Sequence, residues 1–164
     1  LVAGDTNGVE DIFIRDLKTG KTTRASVATN GKQSNNSSTT PAITADGRYV
    51  AFDSEADNLV SGDTNFSSDV FVYDRKTGKT SRVSLGNQNN QGNSSSFNPA
   101  ISADGRYVAF HSYADNLVGG DDNQEWDVFV RDRKTGKTTR VSVASDGTEG
   151  NGGSSIPAIS GDGR

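Results

Sequence analysis

The sequence predicts an all-β chain built from repeated four-stranded antiparallel sheets, and three observations lead to this prediction. The three prolines of the 164-residue chain, Pro41, Pro99 and Pro157, are spaced by 58 residues. Each 58-residue unit contains short apolar runs separated by turn residues, which is typical of an all-β repeat. No segment has a sustained 3.6-residue apolar period, so we expect no substantial helix.

The 58-residue period runs along the whole chain without insertions or deletions. The segment PAITADGRYVAF from Pro41 recurs from Pro99 with one change in twelve residues. We therefore interpret residues 1–164 as one segment made of the units 1–58, 59–116 and 117–164. The last unit is incomplete, and we expect the chain to be a piece of a longer one.

The first two strands of a unit form a tight hairpin. In the second unit they are predicted at Pro99–Ser102 and Tyr107–Phe110, joined through Asp104-Gly105, a strong hairpin signal because glycine tolerates a positive φ. Each proline is expected to open a first strand, where its missing N–H is tolerated.

The third and fourth strands form an outer hairpin. They are predicted at Asp127–Asp132 and Thr139–Val143, with Gly136 in the turn between them. The first three strands are almost continuously apolar, which indicates burial on both faces. The fourth strand alternates between apolar and polar residues, so we expect one of its faces to be exposed to solvent. The charged residues on this hairpin are Arg131, Arg133, Lys134, Lys137 and Arg140.

Inner buried strands followed by a charged outer strand are typical of a β-propeller blade. A β-solenoid is the alternative, but its repeats are usually shorter, and a solenoid repeat does not need two well-marked hairpins. The complete blades are predicted at residues 41–85 and 99–143, and partial blades at 1–27 and 156–164. A closed propeller has roughly 4–8 blades, so we expect a partial or multi-chain ring.

These residues also carry a family resemblance. The runs PAISADGRYVAF, from Pro99, and DVFVYDRKTGKTSRVS, from Asp69, are similar to the PD40 (WD40-like) repeats of TolB-type β-propellers. The segments ADNLV from Ala114 and GDDN from Gly120 resemble a long-repeat bacterial variety of that group. The resemblance implies a secreted or periplasmic bacterial protein whose propeller binds proteins or accompanies a separate catalytic domain.

Composition excludes several kinds of site. The chain has no cysteine, so it has neither disulfides nor a thiolate metal site. Its net charge of −4 argues against nucleic acid as a partner. It also lacks an apolar run long enough to span a membrane, so we expect no membrane insertion. His111 is the single histidine and the only one available for catalysis.

A repeated Asp-x-Asn-x-x-x-Asp pattern is the best candidate for a metal site. Oxygen ligands at positions 1, 3 and 7 resemble part of a calcium loop, and backbone carbonyls could complete the shell of a structural Ca²⁺ ion. Asp57-Asn58, Asp115-Asn116 and residues 9, 67 and 125 are further candidates for this shell. The alternative is that the same residues form Asx-turns between strands two and three. The predicted ligands are Asp5, Asn7, Asp11, Asp63, Asn65, Asp69, Asp121, Asn123 and Asp127.

The remaining candidate functional residues do not indicate an enzyme. We expect the Asp-Gly pairs to be turns, His111 to be a packed or surface residue, and Trp126 to pack on its loop rather than bind a sugar or a partner. The Asn/Ser/Gly-rich stretches, such as 86–98, are predicted to be either a binding surface or a solvated linker.

Near-identical units argue against catalysis, because an enzyme site needs unlike residues converging on one point. The function expected from sequence is therefore a non-enzymatic extracellular, periplasmic or cell-surface scaffold that binds a protein partner or further copies of itself. The alternatives are the propeller portion of a secreted hydrolase and a glycan-binding propeller.

Overall fold

Ten β-strands and no helices make up the computed structural model, which describes all 164 residues. In chain order the strands are β1 Phe13–Arg15, β2 Thr22–Arg24, β3 Ser38–Ile43, β4 Tyr49–Ser54, β5 Asp69–Asp74, β6 Lys79–Arg82, β7 Ser96–Ile101, β8 Tyr107–Ser112, β9 Asp127–Asp132 and β10 Lys137–Arg140. No helix in the structure has the length and apolar character that a bilayer crossing requires.

The strands form two complete four-stranded antiparallel meanders and one two-stranded sheet. Blade one has the strand order β3-β4-β5-β6, blade two has β7-β8-β9-β10, and β1 pairs with β2. The Asp-Gly turns join the inner hairpins as predicted, with Gly47 at φ 69° and Gly105 at φ 71°. Strand three of each blade lies where the sequence predicts it.

Each sheet packs face to face against its neighbour. The two central strands of a blade carry the core, and Phe52 stacks on Phe71 in blade one with ring centroids 5.9 Å apart. Phe110 and Phe129 repeat this contact in blade two at 6.0 Å. Two apolar clusters join the three sheets in a row, which is the stacking of propeller blades around an open, unclosed arc.

The prolines do not open the first strands, which corrects the sequence prediction. β3 begins at Ser38 and β7 at Ser96, three residues before the proline. The register of β3 against β4 shifts between Thr39 and Ala42, so Pro41 lies in an irregular position that does not need an N–H. Strand one is also not buried on both faces, since Ile43 is 52% exposed. Strand three is buried on both faces in blade one, but in blade two β9 alternates between buried and half-buried residues because no further sheet covers its outer face.

The fourth strands end earlier than predicted. β10 stops at Arg140, and Val141 and Val143 lie after it. The outer position of the strand is confirmed, since β6 and β10 are sheet edges. Residues 156–160 form no strand, because strand one of a blade pairs with strand two and no segment of this chain pairs with them.

Two arginines of the outer hairpin are not on a wet face. Arg131 is 5% exposed and reaches from blade two to the loop after blade one, where its guanidinium donates to the Gly86 carbonyl at 3.0 Å and to Asn89 Oδ1 at 2.6 Å. Arg140 is also largely buried. The sequence analysis expected a solvent-exposed face on the fourth strand, where Arg140 lies, because charged residues are mostly exposed.

Candidate functional site

The Asp-x-Asn-x-x-x-Asp residues of each unit converge at one end of the blade, as the spacing predicts. In the second unit, Asp63 and Asp69 lie on the loop before β5 and at its first residue, and their side chains are 3% and 0% exposed. Two adjacent buried carboxylates need a positive partner, because uncompensated charge in a protein interior is costly.

An arginine from strand four occupies the position between the two carboxylates. Nη1 of Arg82 lies 3.0 Å from Asp63 Oδ1 and 3.0 Å from Asp69 Oδ2, and Nη2 donates to the Gly62 carbonyl at 3.1 Å. Arg24 bridges Asp5 and Asp11 in the first unit, with both distances 3.3 Å. In this geometry the guanidinium supplies positive charge between the two carboxylates, a role that one of the two sequence-based alternatives gave to a Ca²⁺ ion.

In the second and third units the asparagine of the pattern uses both polar atoms of its side chain within the protein, whereas Oδ1 of Asn7 in the first unit is buried without a hydrogen-bond partner. Asn65 Nδ2 donates to Asp69 Oδ2 at 3.2 Å and to the Gly92 carbonyl at 2.9 Å, and its Oδ1 accepts from the Ser67 N–H at 3.2 Å. Asn123 makes the same Asx-turn with the N–H of Glu125 at 2.8 Å. These contacts match the Asx-turn alternative.

A serine after strand four completes the cluster. The Ser84 hydroxyl donates to Asp69 Oδ1 at 2.5 Å and accepts from the Val70 N–H at 3.1 Å. Gln91 Nε2 donates to Asp63 Oδ1 at 2.7 Å from the polar stretch that follows the blade. The cluster thus ties strand three, strand four and that stretch together. We call it the Arg–Asp cluster.

Sequence reasoning missed three residues of each Arg–Asp cluster. They share the 58-residue period with the aspartates, which is the signal that could have identified them. The missed residues are Arg24, Arg82 and Arg140, then Ser26, Ser84 and Ser142, then Gln33, Gln91 and Glu149. Whether Ca²⁺ also binds at the nine predicted ligands stays a prediction.

The third Arg–Asp cluster carries one more negative charge than the others, because Glu149 replaces the glutamine. Carboxylate oxygens of Asp121, Asp127 and Glu149 lie within 4.8 Å of one another. Arg140 Nη1 is 3.1 Å from Asp121 Oδ1 and also contacts Glu149. Burial is the main cause that raises the pKa of Asp121, to about 6. Arg140 acts in the opposite direction, and the neighbouring carboxylates of Asp127 and Glu149 raise the pKa further.

The flanking residues proposed for a calcium shell form hydrogen bonds to the Asn/Ser/Gly-rich stretches. Asp57 Oδ1 accepts from Asn35 Nδ2 at 2.6 Å, and Asn58 Nδ2 donates to the Gln33 carbonyl at 2.9 Å. Asp115 repeats the first contact with Asn93 at 2.6 Å. The Asn/Ser/Gly-rich stretches are therefore held to the blades by side-chain hydrogen bonds.

His111 and Trp126 lie together in an aromatic group at the end of blade two. The Trp126 ring is 5.1 Å from His111, 5.4 Å from Tyr113 and 5.9 Å from Phe97. His111 is 7% exposed, its Nδ1 has no hydrogen-bond partner, and burial lowers its pKa. Both residues are packed, as the sequence analysis expected.

Comparisons with known proteins return structural similarity only. No protein-family model matches the chain, and no curated protein matches it. A TolB structure from Agrobacterium tumefaciens is similar at 18% identity and a TM-score of 0.49, over 79% of this chain and 40% of that one. Tricorn protease is similar at 22% identity and a TM-score of 0.48, over 74% of this chain and 11% of that one. The chain thus spans less than half of either structure.

Proposed function

We propose that the chain is a non-enzymatic scaffold of propeller blades that works outside the cytoplasm. The polar residues of its Arg–Asp clusters hold strands and loops in place and present no reactive group to a substrate. The resemblance of its repeats to PD40 sequences supports an extracellular or periplasmic location. Detection of the native protein in the secreted or periplasmic fraction of its source cells would support this location, and its confinement to the cytoplasm would contradict it.

The observation that carries the proposal is the recurrence of one Arg–Asp cluster in all three units. In each unit an arginine bridges two aspartates. Catalytic residues would be expected in one unit only, whereas a structural cluster is needed in every blade. The proposal gives the charge-neutralising role in these loops to arginine rather than to Ca²⁺.

The packing of the two candidate reactive residues supports the scaffold over its alternatives. His111 has aromatic neighbours and no hydrogen-bonded carboxylate at Nδ1, which a hydrolytic triad would require. Trp126 contacts three other rings at tilted or edge-on angles, whereas a sugar-binding site needs an open aromatic face.

A double-mutant cycle on Arg82 and Asp69 tests the proposal. Arg82→Met leaves buried carboxylates unpaired, and we expect the free energy of unfolding to fall by about 3–5 kcal/mol. The loss in the double variant with Asp69→Leu should be clearly smaller than the sum of the single losses.

The matched control is the more exposed pair formed by Arg48 and Asp74, whose nitrogen–oxygen distance is 2.9 Å with Arg48 37% exposed. Arg48→Met also removes the contact of Arg48 with the Tyr49 ring and should cost about 1–2 kcal/mol, less than Arg82→Met. Equal small losses at both arginines, or strictly additive losses at Arg82 and Asp69, would contradict a structural role of the cluster.

A further inference from the structure

We propose that a groove between blade one and blade two binds a tetrahedral oxyanion such as phosphate or sulfate. The groove has a volume of about 300 Å³ and lies between the outer strand of blade one and the end of β9 in blade two. We call it the interblade groove and define it by its cations Lys79, Arg131 and Arg133. Both flanking blades are complete four-stranded sheets. This ligand site goes beyond the scaffold function and does not rest on it.

Arg131 is a buried cation without a carboxylate partner. The residue is 5% exposed and takes part in none of the ion pairs of the structure. Its four hydrogen bonds all end on uncharged acceptors, which are the carbonyl oxygens of Leu85 and Gly86, Oδ1 of Asn89 and Oγ1 of Thr138. Burial lowers the pKa of its guanidinium. A buried charge without an opposite charge is costly, and an anion beside it reduces that cost.

Arg133 is a second arginine of the interblade groove without a carboxylate partner. Its Nη1 donates to the Gly105 carbonyl, and its guanidinium lies 4.8 Å from the centroid of the Tyr49 ring. These contacts fix the position of the guanidinium but leave Nε and Nη2 without an acceptor in the chain. Burial lowers the pKa of Arg133 as well. Arg133 therefore presents hydrogen-bond donors that a ligand can use.

Lys79 faces the two arginines from blade one. It is exposed on β6, and its Nζ makes no hydrogen bond or ion pair within the chain. A lysine ammonium on a flexible stem can turn toward an anion held by the arginines. An oxyanion in the interblade groove would therefore be bound by both blades at once.

The negative charge that lines the interblade groove is already paired. Asp74 is its single carboxylate, and Arg48 donates to both oxygens of that carboxylate, at 3.1 Å and 2.9 Å. Arg82 also lines the groove, but it bridges Asp63 and Asp69. Three positive charges thus stay unpaired in a chain whose net charge is −4. A doubly charged oxyanion compensates them better than a single carboxylate does.

The same combination of cations does not occur in the gap between the β1–β2 sheet and blade one. That gap keeps the lysine and the second arginine of the series as Lys21 and Arg75, but it has Tyr73 in place of Arg131. Arg75 repeats the carbonyl contact, donating to Gly47 at 2.6 Å, and is exposed. The first gap thus lacks the buried cation, and its residues provide a matched control.

Titration of the purified chain with inorganic phosphate tests the inference. Amide chemical shifts are followed by NMR at a constant ionic strength of about 150 mM, so that general screening does not change. The wild-type chain should bind phosphate saturably, with its largest shift changes at Lys79 and Arg133. Sulfate should bind at the same residues, and acetate should bind about tenfold more weakly because it carries one charge.

Two double variants separate the interblade groove from general surface charge. Lys79→Gln with Arg133→Gln should weaken phosphate binding at least about tenfold, because it removes charge-assisted hydrogen bonds. Lys21→Gln with Arg75→Gln removes the same two charges at the equivalent positions of the first unit, and it should bind phosphate as the wild type does. Arg131→Tyr, which introduces the residue of position 73, should also weaken binding, with its fold checked by circular dichroism.

The melting temperature gives a second readout, since a ligand that binds only the folded state stabilises it. Phosphate should raise the melting temperature of the wild type and of the Lys21/Arg75 variant, but not that of the Lys79/Arg133 variant. Absence of saturable phosphate binding, equal weakening in the two double variants, or acetate binding as tight as phosphate binding would overturn the inference. The scaffold function is tested separately by the unfolding experiment on Arg82 and would survive any of these results.

Discussion

Nη1 of Arg82 lies 3.0 Å from Oδ2 of Asp69, a carboxylate with no exposed surface. The two residues are 13 positions apart, on strand four and at the start of strand three of the same blade. Their pairing connects the outer hairpin to the end of the blade where the polar stretch returns. Because the pair recurs in every unit, it is the structural feature that defines this repeat.

Replacing Glu149 by glutamine should change how stability depends on pH. The pKa of Asp121 is about 6 in the folded chain, against an ordinary value of 3.8. The folded state therefore binds more protons than the unfolded state between about pH 4 and pH 6, so this group's contribution to stability falls as pH rises through that window.

Glu149→Gln restores the residue found at positions 33 and 91 and removes one of the charges that raise the pKa of Asp121. We expect the variant to be more stable than the wild type at pH 7 by about 1 kcal/mol, and this advantage to shrink toward pH 4. Chemical denaturation at pH 4, 5, 6 and 7 measures it. A stability difference between variant and wild type that does not vary with pH would contradict the raised pKa of Asp121 as its cause.

Glycine at position 105 is required by both its backbone and its neighbour. Gly105 has φ +71°, and a Cβ there would lie 2.3 Å from the Tyr49 ring of the preceding blade. That ring cannot move easily, since Arg48 and Arg133 lie over it at 4.6 Å and 4.8 Å. Gly105→Ala should cost about 1 kcal/mol for the backbone and about 1–3 kcal/mol more for the overlap.

Gly78 provides the comparison for this substitution. It has φ +70° and nothing within 4 Å of its added Cβ, so Gly78→Ala should show only the backbone cost of about 1 kcal/mol. Thermal unfolding of both variants separates the two effects. Equal losses would mean that the contact between Tyr49 and Gly105 does not hold the two blades together.

The hydroxyl of Thr138 should contribute to the joining of the blades. It is 1% exposed and donates to the Leu85 carbonyl of blade one, while its N–H donates to Asn87 Oδ1 at 2.8 Å. Thr138→Val removes the hydroxyl that donates to this carbonyl and that accepts from Nη1 of the buried Arg131 at 3.0 Å, at a cost of about 1–3 kcal/mol. Thr139→Val on the exposed side of β10 should be nearly neutral, and a similar loss at both positions would contradict the proposed link.

Features encoded by neighbouring residues were predicted correctly from the sequence. The predictions that failed concern side chains whose burial depends on contacts with distant segments. The Asp104-Gly105 turn and the apolar third strand are encoded by neighbouring residues, so both lie where sequence predicts them. The burial of Arg140 depends on the stretch that returns Glu149 to it, and this contact between separated segments has no local signature. Val141 is exposed for a similar reason, because its burial requires a neighbouring sheet.

Thermal unfolding in Ca²⁺ and in EGTA tests most directly whether arginine, rather than a metal ion, neutralises the three loops. With Arg24, Arg82 and Arg140 each placed between two aspartates, the melting temperature should be the same in both conditions. Arg82→Met should lower it in both. A wild-type melting temperature that falls in EGTA and is restored by Ca²⁺ would contradict the account and favour the calcium loops that the Asp/Asn spacing predicts.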